Sequence, residues 1–190
     1  MAKIVGIDID GVLADTAGFF LDRVHQYLGK RFHMESVTEY FFEDCLDLTV
    51  KEVEEVWRRM TEEGKWEKIP LIKGVKESIL PIQSKFPLHI ITARPQVTEG
   101  ATKIWLEKHG IRYASLIFAN LDTKVDFLKK YNLQLTHFIE DRWDFALEFS
   151  GHGIEVLLLD QPWNRNKPDT PGIFRMKDWN EIRKNLLEDD

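Results

Sequence analysis

Short apolar runs recur along the chain with helical periodicity between them. Lys3–Ile7 comes first, and Leu88–Ile91, Ser115–Ala119, Thr136–Ile139 and Ile154–Leu159 follow. Strand-length runs alternating with amphipathic helices predict an α/β fold, a Rossmann-like parallel sheet with helices on both faces. The helix after Thr92 is predicted over about Val97–Lys108, with Ala101, Ile104, Trp105 and Lys108 on one face. Gly110 stands just beyond it, where a helix C-terminus prefers glycine. The last helix opens at Asp178, a candidate N-cap with Glu181 three residues on, the pattern of a capping box.

One stretch breaks the alternation. Between Asp15 and about Val75 there are helical patterns but no convincing strand. Phe20, Val24 and Leu28 sit four residues apart, and Thr49 with Glu52 forms a capping box ahead of Val50, Val53, Val56, Trp57 and Met60. Residues 16–75 are therefore expected to form a small helical cap inserted after the first strand, with 1–15 and 76–190 forming the core. Such a cap would lie over the carboxyl edge of the sheet, where open α/β sheets bind ligands. The plainer alternative is a long helical connection that completes the core.

Composition narrows the partners. The 190 residues are 43% hydrophobic and 12% aromatic, which suits a globular protein with a sizeable core. A formal net charge of −6 argues against a nucleic-acid polymer as partner, although one phosphate needs only one local positive pocket. Cys45 is alone, so no intramolecular disulfide and no zinc cluster is expected. With no charged-then-apolar leader after Met1 and no membrane-length apolar run, the sequence reads as that of a cytoplasmic protein without membrane contact.

The candidate chemistry lies in carboxylates at strand ends. Asp8-Ile9-Asp10-Gly11-Val12-Leu13-Ala14-Asp15 follows the run Ile4–Ile7 directly. Residues two apart on an extended chain point the same way, so Asp8 and Asp10 are expected to converge, with Gly11 permitting a tight turn. Paired carboxylates need a cation or a shared proton, and an oxygen-rich site suits Mg2+. Two solvated aspartates in a turn would be the unremarkable reading. A second pair, Glu140-Asp141, ends the run Phe138-Ile139, and strand alternation predicts that only one of the two reaches a metal directly. Asp144 is expected to cap the next helix or to support the site from behind. Thr92 closes its own run at the same sheet edge. Lys124 follows Asp122-Thr123 at a helix start, where a helix already favours anions; one of 26 basic residues is otherwise a surface charge.

In this order, Asp8-x-Asp10-Gly-Val, Thr92, Lys124 and Glu140-Asp141 resemble the haloacid dehalogenase superfamily over nearly the whole chain. The resemblance implies that Asp8 attacks phosphorus and forms an aspartyl-phosphate. It implies that Asp10 protonates the leaving oxygen and then deprotonates the hydrolytic water. Thr92, Ala93 and Lys124 would hold the phosphoryl group, and Mg2+ would be held by Asp8, the Asp10 carbonyl and Asp141, with Glu140, Asp144 and Arg94 in support. An aspartate at the second acidic position disfavours the dehalogenase branch. Within the superfamily, Ile91-Thr92-Ala93-Arg94, Glu140-Asp141-Arg142 and Asp160–Arg165 look like the 5'(3')-deoxyribonucleotidases and their bacterial nucleotidase relatives.

The implied activity is phosphatase hydrolysis of a small-molecule phosphate ester, a nucleoside monophosphate foremost. Other sugar phosphates, phosphoglycolate and a non-catalytic phosphate-binding module are the alternatives. One departure stands out: the animal enzymes carry a base-stacking aromatic where this chain has Thr16. Phe19, Phe20, Tyr40, Phe41 and Trp66 are the candidates to replace it. Arg94, Gln161, Trp163 and Asn164 fall on loops able to face the cap from the core side.

Overall fold

The computed structural model describes residues 3–119 and 124–188. Six parallel strands build one sheet: β1 (Val5–Ile7), β2 (Leu88–Thr92), β3 (Ser115–Phe118), β4 (His137–Glu140), β5 (Glu155–Leu159) and β6 (Ile173–Met176). Their order is β3-β2-β1-β4-β5-β6. Five of the strands stand where the apolar runs predict them. The sixth escapes the pattern because it is an edge strand in which only Met176 is fully buried and Phe174 stays exposed.

Side chains of the buried strands divide between the two faces with period two. Ile139, Leu157 and Leu159 pack into one core, while Phe138, Val156 and Leu158 pack into the other. The first core is completed by α3 (Val75–Lys85), α4 (Glu99–Lys108) and α7 (Trp179–Glu188), and the second by α5 (Lys124–Lys130) and α6 (Trp143–Gly151). Two helical expectations need correction. In α4 the buried side chains are Thr102, Trp105 and Leu106, whereas Ile104 is half exposed, so the inward face is turned about one residue from the predicted one. At α7 Asp178 accepts from the N–H groups of Asn180 and Glu181, but Glu181 reaches back to the N–H of Lys177, one residue before the cap.

Between β1 and α3 the described residues contribute no strand to the sheet. They form α1 (Thr16–Leu28), α2 (Val50–Glu62) and three single 3-10 turns at Met34–Ser36, Phe42–Asp44 and Trp66–Lys68. Phe20 and Val24 of α1 meet Val53, Val56 and Met60 of α2 in the same core that continues into β1. The predicted capping box is present: Glu52 N–H donates to the Thr49 hydroxyl and Thr49 N–H donates to the Glu52 carboxylate. That backbone donor, with Lys30 and the Thr49 hydroxyl, holds the Glu52 carboxyl at about 2, below its ordinary 4.5. A lowered folded-state value adds stability that is complete above the unfolded value and is lost as the pH falls through about 2. Thr49→Ala is expected to cost about 1 kcal/mol in urea unfolding at neutral pH, and an unchanged midpoint would count against the cap.

Candidate active site

The strand order reverses between β1 and β4, and this switch point opens a crevice beyond their carboxyl ends. Ile7 pairs with Ile139 on one side and Ile90 on the other, so the three strands end nearly level. Asp8 is the residue after β1, Glu140 closes β4, and Asp141 follows it. Their carboxylate oxygens all lie within 4.8 Å of one another, and all three residues are buried. Three clustered anions with hard oxygen donors form a set that fits a small divalent cation such as Mg2+. Strand alternation does not separate Glu140 from Asp141, because β4 ends at Glu140 and the chain turns there. The Glu140 carboxylate also accepts from the N–H groups of Asp141 and Arg142, which fixes the turn.

The loop after β1 is wound tightly enough to bring its own groups to this point. Leu13 and Ala14 N–H both donate to the carbonyl of Ile9, and Gly11 N–H donates to Ala14. Gly11 has φ +80°, and a side chain there would collide with the Asp141 carboxylate. Only glycine satisfies both demands.

From the far side, Trp163 Nε1 donates to Asp141 Oδ2 at 3.0 Å. Asn164 Nδ2 donates to the Asp141 carbonyl at 2.7 Å, and Gln161 Nε2 to the Gly11 carbonyl at 2.8 Å. The loop Gln161–Asn164 therefore braces the acidic cluster. Asn164 is itself held by Arg175 Nη1 at 2.6 Å, a role that nothing in the sequence around β6 announces.

Asp10 stands apart from the cluster and is grasped by other groups. Arg94 Nη2 and Nε donate to its two oxygens at 2.8 and 2.9 Å, and the Thr16 hydroxyl donates to Oδ1. Thr16, the residue in place of the expected aromatic, thus serves the second aspartate. Thr92 is fully buried behind Ala93, and its hydroxyl oxygen accepts from Arg94 N–H at 3.2 Å, leaving its proton to donate. Asp144 is not the helix cap: Arg142 stands at the N-cap position of α6, and Asp144 accepts two bonds from its guanidinium at 2.7 and 2.6 Å. Asp122 lies outside the described residues, as does the Lys124 side chain.

Above the carboxylates lies a cavity of about 630 Å3 between the sheet edge and the helical segment. Asp8, Asp10, Ala93, Arg94 and Asp141 form its floor, and its walls carry Tyr40, Phe41, Phe42, Trp57, Trp66, Phe145 and Trp163. Of the five aromatics expected to replace the missing one, Tyr40, Phe41 and Trp66 reach the cavity. Phe20 instead stacks on Phe42 at 4.2 Å in the core, and Phe19 lies under Arg23. Arg142 spans cavity and core, its guanidinium 4.4 Å from the Tyr40 ring and 4.3 Å from that of Phe145.

A family model described as "5' nucleotidase, deoxy (Pyrimidine), cytosolic type C protein" matches residues 2–188. The chain belongs to this family. A nucleotidase of Clostridium acetobutylicum is 32% identical over 176 residues, covering 93% of this chain and 89% of the relative. Among solved structures, a haloacid dehalogenase-like hydrolase of Streptococcus pneumoniae superposes with a TM-score of 0.67 at 14% identity, covering 97% of this chain and 98% of that one. A hydrolase of the same superfamily from Bacillus subtilis, in a structure bound to magnesium, gives 0.63 at 14% identity over 97% and 98%. The fold is that of haloacid dehalogenase-like hydrolases, and the family makes the chain a nucleotidase-type phosphatase. No helix among its described residues is long and apolar enough to cross a membrane.

Proposed function

We propose that the protein is a Mg2+-dependent nucleotidase that hydrolyses deoxyribonucleoside and related nucleoside monophosphates through an aspartyl-phosphate on Asp8. The observation that carries this reading is one cavity with carboxylates on its floor and aromatic rings on its walls. A phosphate needs the polar floor, and a base needs flat apolar surfaces to stack on. A volume of about 630 Å3 suits a mononucleotide.

Asp8, Asp141 and the Asp10 carbonyl are the proposed holders of the cation, with Glu140 beside them. When bound, Mg2+ would neutralise phosphate charge and polarise the phosphorus toward attack. The residues then divide the work. A carboxylate oxygen of Asp8 bonds to phosphorus while the ester P–O bond breaks. The electron pair leaves on the ester oxygen, which takes a proton from the Asp10 carboxyl. Water next attacks the aspartyl-phosphate, Asp10 accepts its proton, and Asp8 and inorganic phosphate are released. Thr92, the Ala93 backbone and Lys124 are the proposed contacts to the phosphoryl oxygens. Residues 16–75 act as the cap, closing the cavity over the substrate and excluding water before attack. The single Cys45 and the cytosolic description of the family favour a cytoplasmic setting.

The test is a substrate panel with added magnesium and with chelator. It includes deoxy- and ribonucleoside monophosphates, sugar phosphates, phosphoglycolate and a phosphopeptide. Nucleoside monophosphates are expected to be the best substrates, with activity abolished by chelator and no turnover of the phosphopeptide. Efficient phosphopeptide hydrolysis would remove the cap as size filter, and a sugar phosphate as best substrate would replace the nucleotidase assignment.

A further inference from the structure

We propose that Arg94, together with Thr16, sets the orientation of the Asp10 carboxyl, so that Arg94 is a positioning residue of the reaction and not a phosphate ligand. The inference rests on the role given to Asp10 above and adds what holds it in place. The Arg94 side chain is completely buried, whereas that of Asp10 is 26% exposed toward the cavity. All three guanidinium nitrogens are engaged by the protein: Nε and Nη2 on Asp10, and Nη1 on the Thr102 hydroxyl at 3.3 Å. The guanidinium carbon also lies over two indoles, 5.1 Å from the Trp66 ring centroid and 5.6 Å from that of Trp105. Trp66 comes from the helical segment and Trp105 from α4, and the Trp105 Nε1–H bond to the Ile69 carbonyl at 2.7 Å ties the two together. A buried planar ion bonded through all three nitrogens and lying over two rings has little rotational freedom, so it presents a fixed fork to the carboxylate.

The fork distinguishes the two oxygens of Asp10. Each carboxylate oxygen offers two lone pairs. Oδ1 accepts from Arg94 Nη2 and from the Thr16 hydroxyl, which fills both. Among the described residues Oδ2 accepts only Arg94 Nε, at 2.9 Å, and keeps one direction open. Oδ2 is accordingly the atom that exchanges a proton with the ester oxygen, and Arg94 and Thr16 aim it. Without them the carboxyl would sample several staggered rotamers and meet the leaving oxygen only part of the time.

Leaving-group dependence separates this role from a general structural one. The intact enzyme, with magnesium in excess, is assayed for kcat/KM on thymidine 5′-monophosphate and on p-nitrophenyl phosphate. The alkoxide of the first needs a proton as it leaves, and the phenolate of the second does not. Arg94→Met keeps the volume beside the indoles and removes the fork. It is expected to lower kcat/KM for the nucleotide about a hundredfold and for the aryl ester less than about fivefold. Thr16→Val should show the same asymmetry at smaller size, and Arg94→Lys should recover part of the nucleotide activity.

Equal losses on both esters, or no loss on either, overturn the inference. If Arg94→Met fails to fold, Thr16→Val decides by the same criterion. A wild-type enzyme inactive on both esters would bring down the phosphohydrolase reading and this inference with it, whereas equal losses in an active background overturn the inference alone.

Discussion

Asp8→Asn is expected to lower nucleoside monophosphate hydrolysis by more than about a hundredfold, because both half-reactions run through one carboxylate and an amide cannot form the acyl phosphate. The same change should leave the fold standing. Asparagine matches aspartate in shape, and the main-chain bond from Asp8 N–H to the Ile139 carbonyl at 3.1 Å does not involve the side chain. The cluster of Asp8, Glu140 and Asp141 supplies an independent readout. A cation that binds only the folded state raises the melting temperature by mass action, so wild-type Tm should climb as magnesium is added. Replacing one anion of the three should flatten that rise. A variant that keeps more than about a hundredth of wild-type turnover would sink the nucleophile assignment. A wild-type Tm indifferent to magnesium would sink the metal site.

Much of the scaffold was legible in the sequence, for identifiable physical reasons. The four inner strands β1, β2, β4 and β5 are nearly continuous apolar runs covered on both faces, the pattern that parallel sheets impose, and β3, at the other edge and half-buried, is still an apolar run. The capping box at Thr49 and the N-cap at Asp178 are local chemistry between residues two or three apart, so the chain announces them without knowing its tertiary fold. β6 was not legible, because an edge strand with one covered face carries only weak alternation. The inward face of α4 differs from the predicted one for another reason. Thr102 is a polar residue buried by its bond to Arg94, and no hydropathy pattern marks it as interior.

The carboxylates were readable for the same reason as the strands, since each sits at the end of an apolar run. What braces them was not. Asp10 and Arg94 are separated by 84 positions, and Asp141 and Trp163 by 22. Bonds across such distances are decided by strand order, which places β1 between β2 and β4. Thr16 shows the limit most clearly. Read along the chain it is an aromatic that went missing; in the fold it is a donor to Asp10, and the aromatic surface is supplied by Tyr40, Phe41 and Trp66 from further along the same segment.

Asp10→Asn provides the second large effect and separates proton transfer from binding. The substitution keeps the main-chain carbonyl that is the proposed contact to the cation, so the magnesium-induced rise in Tm should survive. It also leaves the cavity walls untouched, so inorganic phosphate or a non-hydrolysable phosphonate analogue should bind nearly as before. Turnover should nevertheless fall by about a hundredfold to ten-thousandfold, the span expected when a general acid–base group is lost. Local geometry adds to the loss. An amide has one acceptor oxygen and one donor nitrogen, and the nitrogen would face the guanidinium or the Thr16 hydroxyl, both of which donate. One arm of the Arg94 fork must then let go, so the side chain is expected to turn away from its present position. A pre-steady-state experiment on the variant should show slow phosphoryl transfer to Asp8 with alkyl esters and a larger burst of product with p-nitrophenyl phosphate, followed by slow hydrolysis of the acyl phosphate. A variant that loses its magnesium-dependent Tm rise, yet recovers wild-type rate when magnesium is raised further, would mean that Asp10 serves the cation and that another group carries the proton.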